Sequence, residues 1–259
     1  MAMQIFITGS SDGLGKVAAN HLIKAGHRVT IHARNEQRAQ DARSAVPGAE
    51  ACLVGDLSSL SQTQQLAEKA NAQTTFDCVI HNCGIYQGPY RPTGKGYPSL
   101  LVVNVLAPYM LTCLMNKPKR SLVYLSSDSH YSGDGSLKDL LWQERGQKGW
   151  SDTRAYGDSK LCNNLLANAF ARRWPDIKSN SFHPGWIATK MGGSMAPGSF
   201  DAAMETYQTL AEAKGEGDCS GKFFYPGAKE REPQSAANSE ETQEKLMGIC
   251  KDATGVSPP

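Results

Sequence analysis

Tyr156 and Lys160 stand four residues apart in Tyr156-Gly157-Asp158-Ser159-Lys160. The stretch reads as helix, so both side chains emerge on one face. A phenol of pKa about 10 exchanges protons poorly near neutrality, and a fixed cation beside it lowers that pKa by favouring the phenolate. The pair therefore reads as a tuned acid/base. Spacing of this kind also arises by chance, so its weight depends on what accompanies it.

Met3 to Thr8 is a short apolar, β-branched run that passes straight into Gly9-Ser10-Ser11-Asp12-Gly13-Leu14-Gly15, after which Lys16 to Ala25 reads as helix. Strand, glycine-rich turn and helix in this order let the backbone bend sharply. They bring main-chain N–H groups at the positive end of the helix against a pyrophosphate. The same residues spell Gly9-x-Ser11-x-Gly13, the form of a hydrolase nucleophile elbow. Such an elbow needs an oxyanion-hole loop from an earlier strand, and only one strand precedes this turn.

A scaffold must hold these two features together. Apolar runs near 3–8, 28–33, 51–54, 76–81, 121–126, 180–183 and 222–225 predict strands, and patterns near 15–25, 35–45, 59–72, 97–115, 154–173 and 200–214 predict helices. The alternation predicts an α/β fold: one Rossmann-type doubly wound parallel sheet with helices on both faces, formed by residues 1–259 as a single domain. Ligands of such a sheet lie at the carboxyl ends of the strands where their order reverses. Those ends carry the glycine turn, Arg34-Asn35, Asp56-Leu57, Asn82-Cys83-Gly84, Ser126-Ser127 and Pro184-Gly185. The tail from Lys229 to Pro259, charged and turn-rich with one helix around Glu240 to Cys250, reads as a solvated surface segment.

Charges nearly cancel, 27 Lys+Arg against 25 Asp+Glu, which offers nothing to nucleic acid or a membrane surface. The seven cysteines are scattered and never form Cys-x-x-Cys. They fit reduced thiols in a cytosol better than disulfides or zinc, so no metal site is expected. With a first strand beginning at residue 3, no signal peptide and a cytoplasmic location are expected. The longest apolar stretch, Leu100 to Met115, is too short to span a membrane and is broken by Asn104 and Pro108.

In order along the chain, Thr8-Gly-x-x-x-Gly-x-Gly15, Asp56-Leu57, Asn82-x-Gly84, Asn104, Ser127, Tyr156-x-x-x-Lys160 and Pro184-Gly185 with Thr189 resemble the motifs of the short-chain dehydrogenase/reductase family, over essentially the whole length. The resemblance implies a nicotinamide-dependent oxidoreductase that interconverts a carbonyl and an alcohol, with reduction the expected direction. Tyr156 would then protonate the substrate carbonyl. Lys160 would lower the pKa of Tyr156 and hold the nicotinamide ribose, and Ser127 would hydrogen-bond the carbonyl oxygen as charge develops. Asn104 would hold a water linking Lys160 to solvent, or else be a satisfied buried amide. The implied cofactor-binding set is Thr8, Gly9, Ser11, Asp12, Gly13, Leu14, Gly15, Arg34, Asp56, Leu57, Asn82, Cys83, Gly84, Tyr156, Lys160, Pro184, Gly185, Ile187 and Thr189. Within it Asp56 would contact adenine, Asn82 and Gly84 would form the adenosine-side turn, and Thr189 would anchor the carboxamide.

Two departures stand out. The family's Asn-Asn-Ala-Gly appears as His81-Asn82-Cys83-Gly84, and the gap from Ser127 to Tyr156 is long and holds Tyr131, Trp142 and Trp150. That insertion, with His183-Pro-Gly-Trp-Ile-Ala-Thr-Lys-Met191, resembles retinol-dehydrogenase-like and daunorubicin-ketoreductase-like branches, and leaves both a homodimer and a monomer open. The substrate pocket is expected to be lined by residues 128–155 and 191–215. A substrate-binding lid is expected over about 191–215, with the flexible, apolar Met191 to Gly198 as its hinged cover, and Trp186 with the methionines suggests a bulky apolar ketone or aldehyde. A non-catalytic, cofactor-sensing protein on the same fold is the rival reading, but the chain keeps Tyr156, Lys160, Ser127 and Asn104.

NADP is the expected cofactor, with NAD the alternative. Folds selective for NAD end the second strand with an acid that accepts the ribose hydroxyls and repels a 2′-phosphate. Here Arg28 to Ala33 is followed by Arg34-Asn35, a cation where that phosphate would lie. Asp12 argues the other way, since NADP-selective relatives often carry a basic residue there.

Overall fold

The computed structural model describes residues 1–190 and 192–259; Met191, where the expected lid begins, lies outside the described residues. β1 (Gln4–Ile7) sends Phe6 into one core and Ile5 and Ile7 into another. A strand covered on both faces has no polar side, which is why Ile5, Phe6 and Ile7 follow one another without a polar residue. There follow α1 (Gly13–Lys24), β2 (Arg28–Ala33), α2 (Glu36–Ala45), β3 (Ala51–Val54), α3 (Leu60–Gln73) and β4 (Cys78–His81). A composite helix comes next: α4 (Ser99–Leu101), a π-helical turn at Val102–Leu106, and α5 (Ala107–Leu114). The chain ends with β5 (Ser121–Leu125), α6 (Asp152–Arg173), β6 (Lys178–Phe182), α7 (Phe200–Glu212), β7 (Phe223–Tyr225), β8 (Lys229–Arg231) and α8 (Glu240–Thr254).

The strands form one sheet in the order β3-β2-β1-β4-β5-β6-β7-β8. All neighbours are parallel except β7 and β8. Side chains of α3, α5, α6 and α8 fill the core on one face, and those of α1, α2 and α7 fill the other. The expected doubly wound α/β fold is therefore formed, with its order reversing between β1 and β4. No described helix is long and apolar enough to cross a membrane.

Three expectations are corrected. The tail is not a solvated segment: Lys229–Arg231 adds an antiparallel edge strand, and α8 buries Leu246, Met247, Cys250 and Ala253. Tyr109 donates its hydroxyl to the Val256 carbonyl at 2.7 Å, and Arg172 reaches Gln243 at 2.7 Å. The charged residues that made the tail look solvated are the outer face of an amphipathic helix. Second, the expected lid cannot extend through residue 212, because α7 is a structural layer that buries Met204, Tyr207 and Leu210. Third, the 128–155 insertion lies mostly away from the expected pocket, with its apolar residues packed inward and much of the rest exposed. Leu137, Leu140, Leu141 and Trp142 are buried, and Trp142 meets Trp150 edge-on at 4.9 Å.

Because Leu246 is fully buried, Leu246→Ala is expected to destabilise the protein by about 2–5 kcal/mol through lost contacts and a residual cavity. Denaturant unfolding checks this. A change under about 0.5 kcal/mol, the range of ordinary surface substitutions, would restore the peripheral reading of the tail.

Candidate active site

The glycine turn is shaped by what stands behind it. Gly9 has φ +63°, and a Cβ there would meet Cys83 Cα at 2.8 Å. A Cβ on Gly15 would lie 2.4 Å from Asn82 Nδ2 and 2.5 Å from the Gly9 carbonyl oxygen. Only glycine allows this close approach of β1, α1 and the end of β4. Asp12 accepts from the Gly13 N–H at 2.8 Å and so caps α1.

Asn82 is a clamp in this region. Its Nδ2 donates to the carbonyls of Thr8 at 2.8 Å and Gly9 at 3.1 Å, and its Oδ1 accepts from the Tyr207 hydroxyl at 2.6 Å. Thr8 Oγ1 accepts in turn from the N–H groups of Asn82 and Cys83 at 3.0 and 3.1 Å. Sequence reasoning missed both Tyr207 and His32. His32 Nδ1 accepts from the Gly9 N–H at 2.9 Å while its Nε2 lies 2.8 Å from the Gly55 carbonyl oxygen. That pairing requires a neutral ring protonated at Nε2, and burial pulls His32 down to about 4. His32 thus ties the ends of β1, β2 and β3 together.

Three cavities that share lining residues form one cleft along the carboxyl ends of the strands. The largest, about 850 Å³, is lined by Arg34, Asp56, Leu57, Cys83 and Gly84 of the predicted set, and by Arg91 and Lys95. The smallest, about 300 Å³, lies over the glycine turn and holds Gly9, Ser11, Asp12, Gly13, Leu14 and Gly15. Arg34, Thr189, Arg38 and Lys190 also line it. The third, about 470 Å³, is lined by Ser127, Tyr156 and Lys160, by Pro184, Gly185, Ile187 and Thr189, and by Tyr86, Asp128, His183 and Trp186. Thr8 and Asn104 line none of the three; they stand behind the wall. Among the described residues of the expected pocket segments, only Asp128 and Ser129 from one and Gly192 from the other reach this third cavity.

Lys190 answers the charge of Asp12 at 2.5 Å across the mouth of the cleft. With the Gly13 N–H, that bond holds the Asp12 carboxyl below the usual range. Arg34 is exposed at the rim, and among the described residues it has no ion-pair partner. Asp56 accepts from the Ser58 N–H and hydroxyl at 2.9 and 2.8 Å.

At the reactive end, Tyr156 is 8% exposed and meets Tyr86 edge-on at 4.8 Å. Lys160 Nζ lies 5.4 Å from the centre of the Tyr156 ring and donates to the Leu125 carbonyl at 2.8 Å. The expected lowering of the Tyr156 pKa is reversed. Burial pushes the phenol up to about 12, opposed by the nearby Ser127 hydroxyl, and burial pulls Lys160 down to about 8. Desolvation penalises both charged forms, and Nζ engages a carbonyl. Ser126, Ser127 and Ser129 all line the cavity, but Ser126 donates its hydroxyl to the Lys160 carbonyl at 2.8 Å.

Asn104 lies within the π-helical turn. Its Oδ1 accepts from the Ile85 N–H at 2.8 Å, and its Nδ2 donates to the Ile85 carbonyl at 2.9 Å and to Ser159 Oγ at 3.0 Å. Both amide hydrogens are used, so the satisfied-amide alternative describes its side chain. Pro108, four residues on, has no N–H to give to the Asn104 carbonyl in the α-helical pattern.

The sequence profile described as short chain dehydrogenase matches residues 3–120. An uncharacterized oxidoreductase of Emericella nidulans is 48% identical over 99% of both chains. The short-chain dehydrogenase chyC of Penicillium rubens is 44% identical, again over 99% of both. Retinol dehydrogenase 13 of Homo sapiens is 27% identical over 98% of this chain and 85% of its own. Among solved structures, an uncharacterized protein from Mycobacterium paratuberculosis superposes with a TM-score of 0.82 at 28% identity, covering 99% of this chain and 95% of that one.

Proposed function

Because the chain belongs to the short-chain dehydrogenase/reductase family and is one of its oxidoreductases, we propose that it reduces a ketone or aldehyde with NADPH, using Tyr156 as the proton donor. The observation that carries this reading is the convergence of Tyr156, Ser127 and Lys160 on one cavity of about 470 Å³, continuous with the cavity over the glycine turn. The cleft fits a dinucleotide: Gly9 and Gly15 draw β1, α1 and the end of β4 together behind the turn, Gly13 borders open space, and the α1 N–H groups supply donors for a pyrophosphate. When bound, the nicotinamide supplies hydride.

The residues of the chain divide the remaining work. Tyr156, held near 12, stays a neutral phenol at physiological pH and so serves as the acid that reduction needs. Ser127 donates to the carbonyl oxygen as negative charge develops there, a preorganised contribution. Lys160, fixed to the Leu125 carbonyl, holds the nicotinamide ribose. Asn104 is a positioning residue: it binds both backbone groups of Ile85 and braces Ser159, next to Lys160. Arg34 and Arg38 receive the 2′-phosphate, and the loop from 192 to 199 covers the substrate. The seven unpaired cysteines fit a reducing cytosol.

Turnover is tested by following NADPH oxidation against ketones, aldehydes and quinones. Consumption with at least one carbonyl, dependent on enzyme concentration, is the expected result. Tight NADPH binding with no consumption across the set would favour the cofactor-sensing alternative.

A further inference from the structure

The wall of the 470 Å³ cavity holds a second polar group that the Tyr156 chemistry leaves unused. Asp128 follows Ser127 directly after β5, His183 follows β6, and Tyr225 ends β7. These three strands are neighbours in the sheet, so their carboxyl ends bring the side chains together. The Tyr225 hydroxyl donates to Asp128 Oδ1, and His183 Nε2 lies 3.3 Å from Oδ2. The rings of His183 and Tyr225 meet edge-on at 5.3 Å, and the Arg231 guanidinium lies 5.7 Å above the Tyr225 ring.

Asp128 and His183 line the cavity beside Ser127 and Tyr156. The Asp128 side chain is 52% exposed, against 13% for His183. The carboxylate is therefore held by the Tyr225 hydroxyl and flanked by the His183 imidazole, yet open to whatever enters. Burial and the nearby Lys160 cation keep His183 below its ordinary value, against the pull of Asp128. A neutral ring beside it leaves the carboxylate its full charge. The buried Nδ1 of His183 has no partner among the described residues.

We infer that Asp128, braced by Tyr225 and His183, selects carbonyl substrates that also carry an O–H or N–H donor and discriminates against those bearing a carboxylate. The inference rests on the carbonyl-reductase reading above and amends the expectation of a purely apolar substrate. A site built to accept a hydrogen bond rejects the analogue that lacks the donor, because its own polar group is left unpaired. A bond to a charged acceptor corresponds to roughly tenfold or more in kcat/KM.

The test uses aryl ketones in matched sets, with a phenolic hydroxyl, its methyl ether or a carboxylate at each ring position, and measures kcat/KM with NADPH. The wild-type protein should prefer the phenol over the ether by about tenfold or more at one or more positions, with the carboxylate poorest. In Asp128→Leu that ratio should fall toward one. In Asp128→Asn, which keeps an acceptor and loses the charge, part of the ratio should survive and the carboxylate should gain. A wild-type ratio near one at every position overturns the inference and leaves the reductase reading intact, as does a ratio that persists in Asp128→Leu. Failure of the wild-type protein to oxidise NADPH with any of these ketones overturns the inference, and failure that extends to the aldehydes and quinones of the turnover test overturns the reductase reading as well.

Discussion

Replacing Tyr156 with phenylalanine is expected to leave NADPH binding in place and to lower carbonyl reduction by about 100-fold or more, the usual contribution of a positioned proton donor. The substitution removes one hydroxyl from a ring whose packing against Tyr86 is unaffected, so fold and glycine turn are retained. Titrating cofactor fluorescence alongside single-turnover reduction separates binding from chemistry. Turnover within a few fold of the parent would show that Tyr156 is not the acid. The pH profile carries a second signature with a definite sign. Reduction needs the neutral phenol, and Tyr156, pushed up to about 12 by burial, supplies it throughout the neutral range. Lys160, pulled down to about 8 by burial, loses its proton and its hold on the cofactor as pH rises through that value. Reduction should therefore be flat below about 8 and fall above it, an arm traceable to Lys160 and absent in Lys160→Arg, whose cation persists.

Arg34→Ala is expected to weaken NADPH binding by at least about tenfold while changing NADH little, because a charge-assisted bond to the 2′-phosphate is lost. Arg34 sits at the rim shared by the cavities of about 850 and 300 Å³, where water screens it. Arg38, on α2, lines the smaller cavity and still faces the phosphate in the variant. Both facts put the expected loss toward the lower end of the range for a charged hydrogen bond. The objection raised by Asp12 is answered within the fold, since Lys190 takes that carboxylate at 2.5 Å. Isothermal titration of both cofactors into parent and variant decides the matter. Equal losses for the two cofactors, or a parent that prefers NADH, would overturn the assignment of Arg34.

Much of this was legible residue by residue. Strands such as Arg28–Ala33 and Ala51–Val54 have the boundaries predicted for them, because β-branched and apolar side chains suit the pleated, buried or half-buried surface of a sheet. The glycine turn, Ser127, Tyr156 and Lys160 were recognisable because each lies where an element ends or within one helical turn. That spacing is local and survives in sequence.

What needed the tertiary structure was everything decided by a distant partner. β6 reads Lys-Ser-Asn-Ser-Phe, and its burial depends on Ser179 donating to the Ala167 carbonyl at 2.8 Å and Asn180 to the Cys219 carbonyl at 2.7 Å. β8 has no apolar residue and exists only because β7 offers it an edge. His32 and Tyr207 look like ordinary core aromatics until their contacts with Gly9 and Asn82, 23 and 125 residues away, show them bracing the turn. The direction of the Tyr156 shift belongs to the same class. Helical spacing brings a cation near a phenol, but burial depends on everything packed around them, and here desolvation outweighs proximity. Sequence thus determined which groups are present and which lie within one turn of each other. Only the folded sheet decided which of them are dry, which are clamped, and that Asp128, His183 and Tyr225 meet at the ends of three adjacent strands.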